Sequence, residues 1–174
     1  MTEPRRRFML GAAAGLAGGL AGALLPAAAQ AQAPALPRPL AWPAQIRLLD
    51  GRVLAARELN ARPALVVFWS STCPFCRSHN RHMQKLYRAA EGTDLLVLGV
   101  SIDRDPAQAA EHVRHEGYGF AVTCDAAVLA PLFDARRVIP RTYAVERGAR
   151  LVAAIPGEMF EEDVMEFLRL AHKS

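Results

Sequence analysis

The sequence predicts an α/β fold: a central mixed sheet flanked by helices, with an N-terminal β-hairpin and an inserted helix–strand. Three observations carry this. Ala64 to Trp69 (Ala-Leu-Val-Val-Phe-Trp) is a continuous apolar run bounded by Pro63 and Ser70-Ser71, as expected of a strand buried on both faces. Strand-like runs then alternate with segments of helical periodicity, which implies parallel pairing in a covered sheet. Finally, two strand-like runs meet at Arg147-Gly148, an antiparallel hairpin that makes the sheet mixed.

Ile46 to Leu48, Asp50-Gly51 and Val53-Leu54 read as a small hairpin at the sheet edge. After the central strand, Pro74 to about Ala90 reads as a helix. Pro74 sits in its first turn, and Met83, Leu86, Tyr87 and Ala90 share one face. Leu95 to Ile102 is a second buried strand, Pro106 to His115 a helix, Phe120 to Thr123 a third strand and Ala126 to Ala135 a helix. Thr142 to Val145 and Arg150 to Ala154 form the closing hairpin. A last helix runs from about Glu158 to Ala171, with Phe160, Val164, Phe167, Leu168 and Ala171 at helical spacing.

The N-terminal segment is set apart from this fold. Arg5-Arg6-Arg7 precede an apolar run from Phe8 to about Ala29, and Ala29-Gln30-Ala31 and Ala31-Gln32-Ala33 offer small-residue cleavage sites. Arg5 to Leu10 resembles the twin-arginine export signal of bacteria. Residues 1–33 are therefore read as a twin-arginine-type signal peptide and cleavage region, and the location expected is the periplasm. The run is long enough to cross a bilayer, so an uncleaved anchor is the alternative, and the protein's only expected membrane association. Ala and Gly make the run only mildly hydrophobic, which favours cleavage. Pro34, Pro37, Pro39 and Pro43 suggest a stiff linker over residues 34–43. The folded domain is expected over 44–174.

Charge is uninformative. The net charge is +4, with no Lys/Arg tract and no basic stripe with interleaved aromatics, so nucleic acid is not an expected partner. Three cysteines are too few, and oddly numbered, for a disulfide framework. In an oxidising compartment the close pair Cys73 and Cys76 is either a structural disulfide or a redox centre. Placement favours the latter. Cys73 lies just past the carboxyl end of the central strand, where open α/β sheets place their chemistry. It also lies at a helix start, whose free N–H groups stabilise a thiolate. Cys73 is thus the candidate nucleophile. Cys76, one turn on and more buried, is within bonding reach and is the candidate resolving thiol. Pro74 fixes the backbone between them. Cys124 reads as a small buried residue, followed by Asp125 as a helix cap. His82, His112 and His115 read as solvated helix residues, and Trp69 as core first and a wall of the site second.

The segment Phe68 to Arg77 (Phe-Trp-Ser-Ser-Thr-Cys-Pro-Phe-Cys-Arg) resembles the active-site segment of the thioredoxin superfamily. The element order, with its helix and strand between Gly99 and Thr123, resembles the exported TlpA/ResA-like branch from about Ala41 onward. The resemblance implies a thioredoxin fold and a thiol–disulfide oxidoreductase that needs no cofactor or metal. Its expected partners are proteins carrying disulfides and a membrane electron donor. It further implies that Ile139-Pro140 carries the family's cis-proline beside the active disulfide, with the Ile139 backbone open to a substrate strand. Trp69, Thr72, Pro74, Phe75 and His79 are the expected supporting residues. Three positions depart from the pattern. Thr72 stands where a second Trp is common, which opens the groove. His79 stands where some ResA-like reductases bury a glutamate, and an imidazole could also manage protons, although a plain histidine is the simpler reading. Val67 stands where thioredoxin has a buried aspartate.

A disulfide reductase is the expected activity, with targets such as apocytochrome c thiols or copper-site cysteines. A DsbA-like oxidase or isomerase shares the Cys-Pro-x-Cys pattern but carries a long helical insertion absent here. A Cu(I)-binding chaperone would use the soft thiolates, with His79 or His82 nearby, but usually spaces its cysteines one residue wider. A peroxidase would want Pro where Val66 stands.

Overall fold

The computed structural model of the protein describes residues 35–135 and 138–172. The signal segment expected over 1–33 lies outside the described residues. Eight strands and five α-helices follow in the order β1 (Arg38–Pro39), β2 (Gln45–Arg47), β3 (Val53–Ala55), α1 (Ala56–Ala61), β4 (Ala64–Trp69), α2 (Pro74–Ala89), β5 (Leu96–Ser101), α3 (Pro106–Glu116), β6 (Ala121–Thr123), α4 (Ala126–Phe133), β7 (Arg141–Glu146), β8 (Arg150–Pro156) and α5 (Glu161–Met165). A 3₁₀ segment, Glu166–His172, closes the described chain.

The main sheet runs β1-β8-β7-β4-β5-β6, parallel from β4 to β6 and antiparallel elsewhere. β4 is central, and all six of its residues are buried. Its pleat divides the core. Leu65, Val67 and Trp69 face α2 and the C-terminal helices, with Met83, Leu86, Val164 and Phe167. Val66 and Phe68 face the other layer, with Leu129, Phe133 and Tyr143. The mixed sheet and the helix–strand order match the expectation.

Four boundaries differ from it. Within the Pro-rich segment expected to be a stiff linker, Arg38 and Pro39 pair with Leu151 and Arg150 on β8, and Leu40 and Trp42 are buried, so this stretch is part of the fold. The interleaved Leu and Trp have enough apolar surface to dock, which the prolines mask in the sequence. Second, β2 and β3 pair as the expected edge hairpin but form a ribbon of their own, tied to the β6 edge of the main sheet by the Leu48–Thr123 bridge and by the Leu49 N–H to Val122 O bond of 2.7 Å. Third, α1 follows β3 directly. It has little periodic signal, but the Glu58 side chain accepts the Ala55 N–H at 2.8 Å, closing its first turn. Last, the C-terminal helix begins at Glu161, because Phe160 is extended at its N-cap, and residues 158–160 form a loop.

Candidate active site

The chain turns from β4 into α2 at the site. Pro74 occupies the first helical turn, where its missing N–H costs nothing. Cys73 is the N-cap in extended conformation, and its sulfur accepts the Cys76 N–H at 3.1 Å. A disulfide joins Cys73 to Cys76, their Cα atoms 5.2 Å apart. Cys73 is part-exposed, whereas Cys76 is fully buried in the core layer beneath α2. That asymmetry follows from helix geometry: the cap residue projects beyond the helix end, while the residue three on turns inward.

The bond between Ile139 and Pro140 is cis. Pro140 is buried, and its carbonyl accepts the Gly157 N–H at 2.8 Å, tying the start of β7 to the turn after β8. Ile139 is half-buried and packs, like Cys73, against the core layer of α2.

His79 is fully buried and holds these parts together. Its Nδ1 accepts the Met159 N–H at 3.2 Å, so Nε2 carries the proton and donates to Thr142 Oγ1 at 2.9 Å. Burial, reinforced by His82, depresses its pKa to about 4 against the weaker pull of Glu158. It is a neutral core imidazole with both nitrogens engaged. His82 Nδ1 donates to Met159 O at 3.1 Å, so two imidazoles one turn apart hold the two backbone groups of Met159. His82 is therefore not a solvated surface histidine. Nor is His112, whose ring lies 5.4 Å from that of Trp69 and 5.8 Å from that of Tyr118; only His115 of the three is exposed.

Trp69 is fully buried, under His112 and Tyr118, and its Nε1 lies over Gly99, where a Cβ would come within 2.9 Å. Thr72 and Phe75 flank the disulfide and are exposed, Phe75 to 65%. A cleft of about 330 Å³ opens beside Thr72 between α2 and α3, lined by Ser71, Arg77, Gln108, Glu111, His112 and His115. Cys124 is half-buried, and burial followed by the charge of Asp103 pushes its thiol pKa up. Asp125 is the N-cap of α4, as expected, but its side chain bonds no helix N–H. Its carboxylate instead accepts the Arg47 N–H at 2.9 Å, fastening the β2–β3 ribbon.

Sequence reasoning missed Asp103, which receives hydrogen bonds from the Ser70 and Ser71 turn, and Thr142 and Met159, the partners of His79. For Asp103 a signal existed: it follows the second buried strand closely, beside the strand that leads to Cys73. For the other two no local pattern exists.

The AhpC/TSA family model matches residues 31–153. The chain belongs to the AhpC/TSA family. Among curated relatives of this AhpC/TSA chain, the thiol–disulfide oxidoreductase ResA of Halalkalibacterium halodurans is 25% identical over 122 residues, covering 70% of this chain and 69% of that protein. A thiol:disulfide interchange protein of Chlorobium tepidum superposes with a TM-score of 0.70 at 18% identity, over 81% of this chain and all of that one. A secreted disulfide oxidoreductase of Mycobacterium tuberculosis superposes with a TM-score of 0.62 at 16% identity, over 72% of this chain and 93% of that one. The fold is the thioredoxin fold, and the chain resembles TlpA/ResA-like thiol–disulfide oxidoreductases.

Proposed function

We propose that this protein is exported and reduces disulfides of partner proteins outside the cytoplasm, with Cys73 as nucleophile and Cys76 as resolving thiol. The observation that carries the reading is the pairing of a part-exposed Cys73 sulfur, accepting an N–H at the start of α2, with a fully buried Cys76. In the reduced protein the Cys73 thiolate attacks one sulfur of a partner disulfide, and the other partner sulfur leaves as a thiolate. Cys76, giving up its proton, then attacks the Cys73 sulfur of the mixed disulfide and the partner leaves as a dithiol. Two electrons pass from the cysteine pair to the partner, and a membrane donor restores them. Ile139 offers its backbone to the partner strand beside Pro140. The Arg5–Ala33 signal directs export to the periplasm by the twin-arginine route. Apocytochrome c thiols and copper-site cysteines are the target classes that the family resemblance suggests.

The test is the reduction potential of the Cys73–Cys76 pair in the Cys124→Ser protein, poised in glutathione buffers. A value near about −270 mV makes it a reductase, whereas one near about −120 mV makes it an oxidant of the DsbA kind and overturns the direction. Failure to form a disulfide at any poise removes the redox reading and favours a Cu(I)-binding role, which a stoichiometric metal titration of the reduced protein would then establish.

A further inference from the structure

β4 and β5 run parallel with Trp69 opposite Ser101, so the chain leaving β4 toward Cys73 lies beside the chain leaving β5. Asp103 sits two residues past that exit and spans the gap. Its Oδ1 accepts the Ser70 hydroxyl at 2.5 Å, and its Oδ2 accepts the Ser71 N–H at 3.0 Å and the Ser101 hydroxyl at 2.8 Å. The Ser71 N–H also reaches Oδ1 at 3.2 Å, and the Asp103 N–H returns a bond to Ser101 Oγ at 3.1 Å. With its own proton committed to Asp103, Ser70 Oγ accepts from the Thr72 hydroxyl at 3.1 Å, and the Ser70 carbonyl accepts the Cys73 N–H at 3.2 Å. The whole turn from Ser70 to Cys73 thus hangs on one carboxylate.

We infer that Asp103 is a positioning residue for the thiol chemistry at Cys73, holding the Ser70–Ser71–Thr72 turn so that the Cys73 sulfur stays aligned on the N–H groups opening α2. This rests on the proposed role of Cys73 as nucleophile. A thiolate there is stabilised by charge-assisted bonding to N–H groups whose strength depends on distance and angle. The stabilisation is lost when the preceding turn is free to move the cap residue. Asp103 carries a negative charge that by itself opposes a nearby thiolate. Its charge is already bound by three donors, and the group is partly open to solvent, so alignment outweighs repulsion. Burial would raise its carboxyl, yet the Ser70, Ser71 and Ser101 donors hold it below its ordinary value, so the clamp stays ionised at neutral pH.

The experiment uses the full chain with Cys76→Ser and Cys124→Ser, leaving Cys73 as the one reactive thiol, and measures its iodoacetamide rate against pH. Asp103→Ala and Asp103→Asn are added to that background, together with Asp105→Asn as a control. Asp105 caps α3 through the Ala107 N–H at 2.9 Å and does not touch the turn, and asparagine caps equally well. The expected result is a midpoint displaced to higher pH in Asp103→Ala, with the rate at pH 7 reduced on the order of tenfold, a smaller displacement in Asp103→Asn, and none in Asp105→Asn. Circular dichroism checks that each variant is folded; should Asp103→Ala fail to fold, the isosteric Asp103→Asn decides. An unmoved midpoint in the Asp103 variants, or one displaced to lower pH, overturns the inference. If the background protein itself shows no midpoint below that of an ordinary thiol, the nucleophile assignment fails, independently of Asp103.

Discussion

The imidazole of His79, fully buried on α2, donates from Nε2 to the Thr142 hydroxyl on β7 at 2.9 Å. This bond joins the helix headed by the Cys73–Cys76 disulfide to the strand that begins at Arg141, directly after Pro140. The position therefore serves assembly of the site.

Stability should depend on pH through His79. Its folded pKa, about 4, lies below the ordinary 6.5, so the unfolded chain binds the proton first. The contribution of the neutral imidazole is complete above about pH 6.5 and is lost as pH falls toward 4, by on the order of 3 kcal/mol. Urea denaturation at pH 7.5 and pH 5 should show a steeper loss in the wild type than in His79→Gln. Equal losses would mean that His79 does not govern this window.

Thr142→Val keeps shape but removes the acceptor, leaving the buried His79 Nε2–H unpaired. The expected cost is about 1–3 kcal/mol in chemical denaturation, with Thr142→Ser near the wild type. Equal stability of the Val and Ser variants would refute the bond's contribution.

Cys73 and Cys76 should separate by their trapped species. In Cys76→Ser, incubation with a disulfide-bearing peptide should accumulate a mixed disulfide at Cys73, visible by mass spectrometry. Cys73→Ser should accumulate none at Cys76, which is fully buried. The reverse pattern would exchange the two roles.

In the reduced wild type, iodoacetamide at pH 7.5 should label Cys73 long before Cys124, whose thiol is held protonated by burial and by the neighbouring Asp103 charge. Peptide mapping of a time course gives the order. Labelling of Cys124 first would contradict it.

Gly99 is the contact surface of Trp69. A Cβ there would lie 2.9 Å from the indole Nε1 and 3.0 Å from Phe120 Cε2, both on rigid rings. Gly99→Ala should destabilise by about 1–3 kcal/mol in urea titrations. An unchanged midpoint would show that the rings can shift.

Much of this molecule was legible in its residues. The run Ala64 to Trp69, bounded by Pro63 and Ser70-Ser71, reads as a strand covered on both faces, and Pro74 suits the first turn of a helix, because those features depend on local sequence and backbone chemistry. The three-residue spacing of Cys73 and Cys76 likewise led to the expectation that Cys76 is the more buried of the two, as it is. What the sequence hid are partnerships between segments far apart in the chain. Asp103 meets Ser70 because two strands happen to leave the sheet side by side, and Met159 meets both His79 and His82 because the chain after β8 crosses α2. Asp125 takes the N-cap position of α4 expected on local grounds, yet its carboxylate goes to Arg47. Prolines suggested a linker over 34–43, although Leu40 and Trp42 are buried. The sequence alone determined the alternating α/β order, the close cysteine pair and its place at the head of a helix. Tertiary structure alone decided which polar groups hold that pair in register, because a buried donor takes whichever acceptor the packing brings within about 3 Å, regardless of its distance along the chain.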